Sequence, residues 1–366
     1  MHKLFICLTA LIFVSGCCQA DIADLEDLIS QEMDAHSITG LTAAIVKEDQ
    51  LLWTKGFGLA NKAEGKPVAD DTIFLIASVS KTVTAVALMT LYDQGHFALD
   101  DSINEYLPFT VTHPNYPKSP ITFRMLLTHT SGISDVGYDD LDLYTYGKDS
   151  PITLEDFVHN YFVPGGKYYN SRKNFTKRKP GNSYSYSNMG YALIGYLVEA
   201  VAKMPFDQYC KAKIFAPLKM DRTAWFLRDL PMDQIAMPYS PRGKPYGQYT
   251  FPDYPNGQLR TTVSNLASFL SMFIQYGTHD GAMILKKDTA ALMRKVAFPK
   301  IDPDGGLCWF YEYLDNKRLL GHNGGEQGVS SEMFFDPKTG VGGIVITTSE
   351  DNDLDSIISK LIDIKS

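Results

Sequence analysis

Thr72-Ile73-Phe74-Leu75-Ile76-Ala77-Ser78-Val79-Ser80-Lys81-Thr82-Val83-Thr84-Ala85 changes pattern in the middle. An apolar run over 72–77 meets a helix start at Ser78. From 79 to 92 apolar residues recur at intervals of three and four, the stripe that a helix turns toward a core. Gly95 stops it. Ser78 and Lys81, three apart, share one face of the first turn. A helix start also offers unpaired backbone N–H groups and the positive end of the helix dipole. A hydroxyl beside an amine there suits an acyl-transfer nucleophile. The lysine accepts the hydroxyl proton once desolvation or nearby charge lowers its pKa, and the N–H groups hold the oxyanion. The same residues also suit a plain helix cap followed by a solvated lysine. The chain has no second Ser-x-x-Lys, so the choice rests on what accompanies this one.

The 366 residues are enough for one large domain or two subdomains with an ample core. Hydrophobic content of 45% is ordinary for a globular chain, and a net charge of −8 argues against nucleic acid as a partner. At the start, Met1-His2-Lys3 and an apolar run over 4–14 read as an export signal, too short to span a bilayer. Val14-Ser15-Gly16-Cys17 resembles the bacterial lipoprotein box. That resemblance implies cleavage after residue 16, a lipid on Cys17 and anchoring to a membrane at the periplasm or cell surface. Ordinary cleavage after Ala20 is the rival. Cys7, Cys17, Cys18, Cys210 and Cys308 show no metal-ligand spacing. Cys210 and Cys308 read as two separate buried thiols, with a bridge as the alternative in an oxidising compartment.

Along the mature chain, residues 21–36 form an amphipathic helix, and 40–46 with 51–58 form a hairpin. A short helical turn near 100–108 and a helix carrying Leu126 and Leu127, ended by Gly132, come next. The stretch 134–150 is rich in Gly, Asp and Tyr, a long loop of the kind that forms functional rims. Lys167, Arg172, Lys173, Lys177, Arg178 and Lys179 crowd one segment, either a solvated loop or a patch that steers anions. Helices follow over 189–202, 206–215 and 264–276. Four strands, 307–314, 317–321, 330–335 and 341–348, precede a closing helix over 351–364. Strands at both ends with helices between predict an α/β (α+β) fold: one antiparallel sheet built from both termini, flanked by helices, with an inserted mostly helical subdomain. The boundaries expected are 1–16 for the signal and 17–366 for one domain, with its sheet part near 21–95 and 300–366 and its helical part near 96–299.

A Ser-Lys nucleophile needs a second proton-handling group, an amide that orients substrate and a strand edge with a backbone donor. Tyr186-Ser187-Asn188 supplies the first two, set between a Pro-Gly turn and a helix start. The phenolate of a tyrosine beside a lysine is favoured by that charge, so Tyr186 can shuttle a proton. Asn188 offers an amide to a substrate carbonyl. The same Tyr-x-Asn pattern at Tyr168-Tyr169-Asn170 and Tyr254-Pro255-Asn256 sits in less rigid context. His322-Asn323-Gly324-Gly325 follows a predicted strand, and its glycines let a ligand or backbone come close. The Gly325 N–H is then a second oxyanion donor beside that of Ser78. A rival triad around His129 and Ser131 lacks the Gly-x-Ser-x-Gly elbow.

Taken in order, Ser78-Val79-Ser80-Lys81, Tyr186-Ser187-Asn188 and His322-Asn323-Gly324 resemble the serine β-lactamase and penicillin-binding-protein family. Leu126-Leu127-Thr128-His129-Thr130-Ser131-Gly132 and Gly257-Gln258-Leu259-Arg260-Thr261-Thr262 are similar to segments of it too. The likeness runs from about 21 to 366 and is nearest to the branch of class C β-lactamases, D,D-carboxypeptidases, D-amino-acid peptidases and esterases. It implies a helical cluster beside a sheet, with the site between. It also implies Ser78 as acylated nucleophile, Lys81 and Tyr186 as proton shuttle, Asn188, His322 and Gly324 at the substrate, Ser78 and Gly325 as oxyanion donors, and no metal or cofactor. Substrates would be a small peptide, an ester or a β-lactam, with peptidoglycan as a candidate polymer. A non-catalytic cell-wall sensor is the alternative class. One departure is plain: His322 stands where most β-lactamases carry Lys-Thr-Gly. Histidine is mostly neutral at pH 7, which weakens a fixed cation for a substrate carboxylate. The literal Lys338-Thr339-Gly340 reads as a hairpin tip instead.

Overall fold

The computed structural model describes residues 16–364, with side chains from residue 21 onward. Residues 1–15 of the expected export signal and the Cys17 side chain lie outside the described residues. Strands β1 (Gly40–Lys47) and β2 (Gln50–Asn61) form the expected hairpin, and a short β3 (Lys66–Pro67) extends it. β4 (Phe310–Leu314), β5 (Lys317–Glu326), β6 (Val329–Phe335) and β7 (Val341–Thr347) come from the other end of the chain. Their order is β4-β5-β6-β7-β1-β2-β3, antiparallel throughout, with Leu41 opposite Thr347 where the two ends meet. β1, β6 and β7 are buried along nearly their whole length, because both faces are covered: β1 and β7 read as near-continuous apolar runs, whereas β6 carries Ser330, Ser331 and Glu332 into the interior. Lys338-Thr339-Gly340 does form the tip between β6 and β7, with the Lys338 N–H donating to Asp336 Oδ1.

The helices are α1 (Gly16–Ala35), α2 (Ser80–Asp93), α3 (Phe123–Leu127), α4 (Leu154–Phe162), α5 (Asn188–Ala202), α6 (Phe206–Cys210), α7 (Val263–Ile274), α8 (Lys287–Arg294) and α9 (Asp355–Asp363). α1 and α9 cover one face of the sheet, where Leu25, Ile29, Ile358 and Leu361 pack on Leu41, Ala43 and Ile45 of β1. The opposite face meets α7, and from there one apolar core runs on through α2, α4 and α5. α4 and α8 were not anticipated. Yet Leu154, Phe157, Val158, Tyr161 and Phe162 have helical spacing, and the Thr153 hydroxyl caps the Asp156 N–H.

Three expectations need correcting. α2 is buried on every side from Ser80 to Leu91 rather than along one stripe, because it is the central helix of the core. α3 stops at Leu127, since His129 (φ +55°) and Gly132 (φ +78°) turn the chain away before Gly132 can act as its cap. β5 runs five residues past Gly321, so His322-Asn323-Gly324-Gly325 lies within the strand and not after it. Pairing with β6 continues to Glu326 opposite Val329 and overrides the low strand preference of two glycines. Cys210 and Cys308 are both free and buried. Among the described residues, no helix is long and apolar enough to cross a bilayer.

Candidate active site

Ser78 is held from both sides of its own chain. Before it, Phe74 and Leu75 pair with Thr261 and Arg260, and the Ile76 N–H donates to Leu259 O at 3.0 Å. Ala77 then takes φ +45°, a conformation L residues rarely adopt, and a 3₁₀ turn over Ala77–Val79 leads into α2. Beyond it, the Leu259 N–H donates to Ser80 Oγ at 3.1 Å. The same 256–261 segment that braces the turn also reaches Lys81.

Lys81 is fully buried, and its Nζ has three neighbours: Ser78 Oγ at 2.9 Å, Asn188 Oδ1 at 2.7 Å and Asn256 O at 2.7 Å. Burial pushes its pKa down to about 8, against the pull of Asp135, the strongest of several opposing groups. The two carbonyl oxygens only accept hydrogen bonds. A neutral amine therefore gives both of its protons to Asn188 and Asn256, and its lone pair is left facing the Ser78 hydroxyl. That is the orientation a general base toward Ser78 requires.

The Tyr186 ring lies 4.9 Å from Lys81 Nζ and stacks on His129 at 4.4 Å. Although 37% of the residue is exposed to the cleft, its hydroxyl end is enclosed. Burial pushes the phenol far up, and a hydrogen bond with Ser78 opposes this only in part. Tyr186 is thus a neutral phenol, a donor rather than a standing phenolate base. Asp135 organises this side. Its carboxylate accepts from Ser187 Oγ (2.8 Å), Asn188 N (2.5 Å) and Met189 N (3.2 Å), at the positive end of α5. His129 Nδ1 accepts from Ser187 N at 3.0 Å. Tyr186 and Asn188 are aimed by these two residues, and with Oδ1 taken by Lys81, Asn188 keeps its amide N–H groups for a substrate carbonyl.

β5 forms the opposite wall. A Cβ on Gly324 would lie 2.7 Å from Ser78 N, 2.8 Å from Ser331 Oγ and 2.9 Å from Ile76 O, so only glycine lets the strand approach Ser78. A Cβ on Gly325 would meet nothing within 4 Å, because that position opens to the cleft. Ser78, Tyr186, Asn188, Gly324 and Gly325 all line one cavity of about 370 Å³. His322 does not. It is 2% exposed, borders a neighbouring cavity with His129 and Tyr186, and its Nδ1 donates to Asn323 O at 2.5 Å. Burial, and then the charge of Lys81, lower its pKa to about 3, so it stays neutral.

The structure therefore gathers Ser78, Lys81, Tyr186, Asn188, Gly324 and Gly325 and sets His322 behind them. Three contributors were not anticipated. Asn256, whose Tyr-x-Asn pattern sits in less rigid context, enters through its backbone oxygen, which no side-chain motif signals. Asp135 and His129 stand in stretches noted for other reasons. The available signal for Asp135 was that α5 begins without an acidic residue of its own in its first turn. The basic segment stays at the surface, where Lys173 pairs with Asp140.

Comparison with known proteins bears on the family and the fold. The family model Beta-lactamase matches residues 25–362. "Protein flp" of Staphylococcus aureus (strain MW2) is 24% identical over 337 residues, covering 88% of this chain and 62% of that protein. The chain thus spans less than two thirds of that relative's length. "Penicillin-binding protein 4*" of Bacillus subtilis (strain 168) is 26% identical over 326 residues, covering 85% and 68%. The solved octameric penicillin-binding protein homologue from Pyrococcus abyssi matches with a TM-score of 0.73 at 26% identity, over 92% of this chain and 76% of that one. With most of its length matched and its sheet, helices and cleft arranged as described, this chain belongs to the Beta-lactamase family.

Proposed function

We propose that the protein is a serine hydrolase that acts on an amide or ester through a Ser78 acyl-enzyme. The observation that carries this reading is the buried Lys81 nitrogen, 2.9 Å from Ser78 Oγ, which as a neutral amine has both of its protons committed to two carbonyl oxygens. Ser78 Oγ bonds to the substrate carbonyl carbon as Lys81 takes the hydroxyl proton. The resulting oxyanion is held by the N–H groups of Ser78 and Gly325. As the bond to the leaving group breaks, Tyr186 gives it a proton and is reprotonated from Lys81. Water then attacks the ester by the same route, which frees the acid and restores Ser78. Asn188 orients the substrate carbonyl.

Peptide hydrolysis of the D,D-peptidase or D-amino-acid peptidase kind ranks level with small-ester hydrolysis, and peptidoglycan is the polymer such a site would meet outside the cell. Hydrolysis of β-lactams ranks third, because His322, which stands where most β-lactamases carry Lys-Thr-Gly, is neutral and lies behind the cavity, so it offers their carboxylate no fixed cation. Export and a lipid on Cys17 belong to the same proposal, supported by the basic start, the apolar run and Val14-Ser15-Gly16-Cys17. A mature protein that begins with an unmodified Asp21 in mass spectrometry would end the lipid part. For the chemistry, a D-Ala-D-Ala peptide, a p-nitrophenyl ester and a chromogenic cephalosporin should be compared on the wild type and on Ser78→Ala. At least one of the first two turns over, and Ser78→Ala turns over none. A Ser78→Ala protein with unchanged rates would refute the assignment, and an acyl adduct that forms but never turns over would favour a sensor.

A further inference from the structure

The polarity of the Ser78 cavity points to a kind of substrate. Among the described residues, no Lys, Arg or His lines it, and Glu326 is its one carboxylic acid. Glu326 follows Gly325 on β5. By the two-residue period of a strand it shares a face with Gly324, whose absent side chain would point at Ser78 N. Its Oε1 accepts from Tyr144 Oη at 2.7 Å and from the Gln327 N–H at 2.8 Å, which fixes the carboxyl head. Among the described residues, Oε2 has no hydrogen-bond partner. The neighbouring cations are already engaged. Lys81 serves the nucleophile, and Arg260 donates to Gln258 O and Tyr249 O. Two further carboxyls lie near Glu326: Asp253, which burial pushes up to about 7 and which accepts from Asn256 Nδ2, and Glu350, which accepts from Tyr246 Oη and the Gly328 N–H. Three rings, Tyr138, Tyr144 and Tyr186, line the same cavity, and aromatic faces attract cations.

We propose that this cavity selects substrates with an ammonium group close to the scissile carbonyl, Glu326 being the counter-ion within a cage of Tyr138, Tyr144 and Tyr186. This rests on the Ser78 hydrolase reading. Amides and peptides with a free amino terminus fit, because their amine stands on the carbon next to the carbonyl. Strand geometry agrees: Glu326 is one residue, about 3.4 Å along β5, from the Gly325 donor. Substrates whose only nearby charge is a carboxylate are disfavoured.

The test compares alanine p-nitroanilide with its N-acetyl counterpart, in both configurations, on the wild type and on Glu326→Gln. The wild type should prefer the free amine by about 10-fold or more in kcat/KM. Glu326→Gln should raise KM for the free amine by about 10- to 100-fold, the range lost with a charge-assisted hydrogen bond. It should leave the acetylated substrate within about 3-fold, since a carboxamide fills the same space. Protection of Ser78 from a fluorophosphonate by alanine amide, compared with N-acetylalanine amide, gives the same preference independently of turnover. A wild type that favours the acetylated compound in both assays, or a variant that slows both substrates equally, would overturn the proposal. If Ser78 labels normally while the amine preference is missing, the specificity fails and the hydrolase reading stands. If Ser78 does not label at all, both fall.

Discussion

Lys81 has two competing demands on it. Burial penalises its charged form, while Asp135 and other acidic groups favour it, and the balance leaves a pKa of about 8 instead of 10.5. The free base is the form that can accept the Ser78 proton, and it dominates only above that value. We therefore expect kcat/KM for a neutral ester to rise with pH through about 8 and then level off. A profile that stayed flat from pH 6 to 9, or fell, would remove Lys81 as the base. Tyr186 offers a second test. Tyr186→Phe keeps the ring that stacks on His129 and faces Lys81 but deletes the hydroxyl. Turnover should drop by about 100-fold or more, the usual contribution of a positioned proton donor, with Tm little changed. Both residues were legible in the sequence because their chemistry resides in side chains at recognisable spacing. Asn256 was not, because what it contributes is a backbone oxygen, and any residue type has one.

Among the elements, β5 shows how two adjacent glycines can do different things. Gly324→Ala places a methyl group against the Ser78 and Ile76 backbone, which a side-chain rotation cannot relieve. It should cost about 1–3 kcal/mol of stability and push the strand off Ser78, with any hydrolytic activity lost at temperatures where the protein is still folded. Gly325→Ala meets open space and should stay within about 0.5 kcal/mol of wild type, its effect confined to substrate affinity. Chemical denaturation of the two variants checks the pair, and equal destabilisation would mean that β5 does not press on the turn at Ala77–Val79. From the sequence alone the strand stops near residue 321, before Gly324 and Gly325, because glycines are poor strand formers. What extends it is tertiary: pairing with β6 as far as Glu326, and the bond from Ser331 Oγ to Ile76 O at 2.8 Å.

For the molecule as a whole, the decisive fact is that β1 lies between β2 and β7, so the two ends of the chain complete one sheet. Its outer face is covered by α9, which buries Ile357, Ile358, Leu361 and Ile362 with Leu354 just before it. Each such side chain contributes about 1.5–3 kcal/mol, and five together rival the 5–15 kcal/mol that holds a typical domain. Deletion of residues 352–366 should therefore yield insoluble or unfolded protein rather than a trimmed, folded domain. A soluble truncation with native circular dichroism would contradict this. The sheet could be anticipated from its apolar runs and from the Asp336-to-Gly340 turn. The route by which Asp135, His129 and the 256–261 segment converge on α2 could not, since such long-range contacts leave no local pattern.

The central claim is that Ser78 is the atom acylated, with Lys81 drawing off its proton. Its most direct test is to treat the wild type, Lys81→Met and Ser78→Ala with a fluorophosphonate and map the adduct by peptide mass spectrometry. The account predicts one adduct on the peptide that contains Ser78, formed far more slowly in Lys81→Met and absent in Ser78→Ala. Labelling at another residue, or at an equal rate in all three proteins, would contradict it.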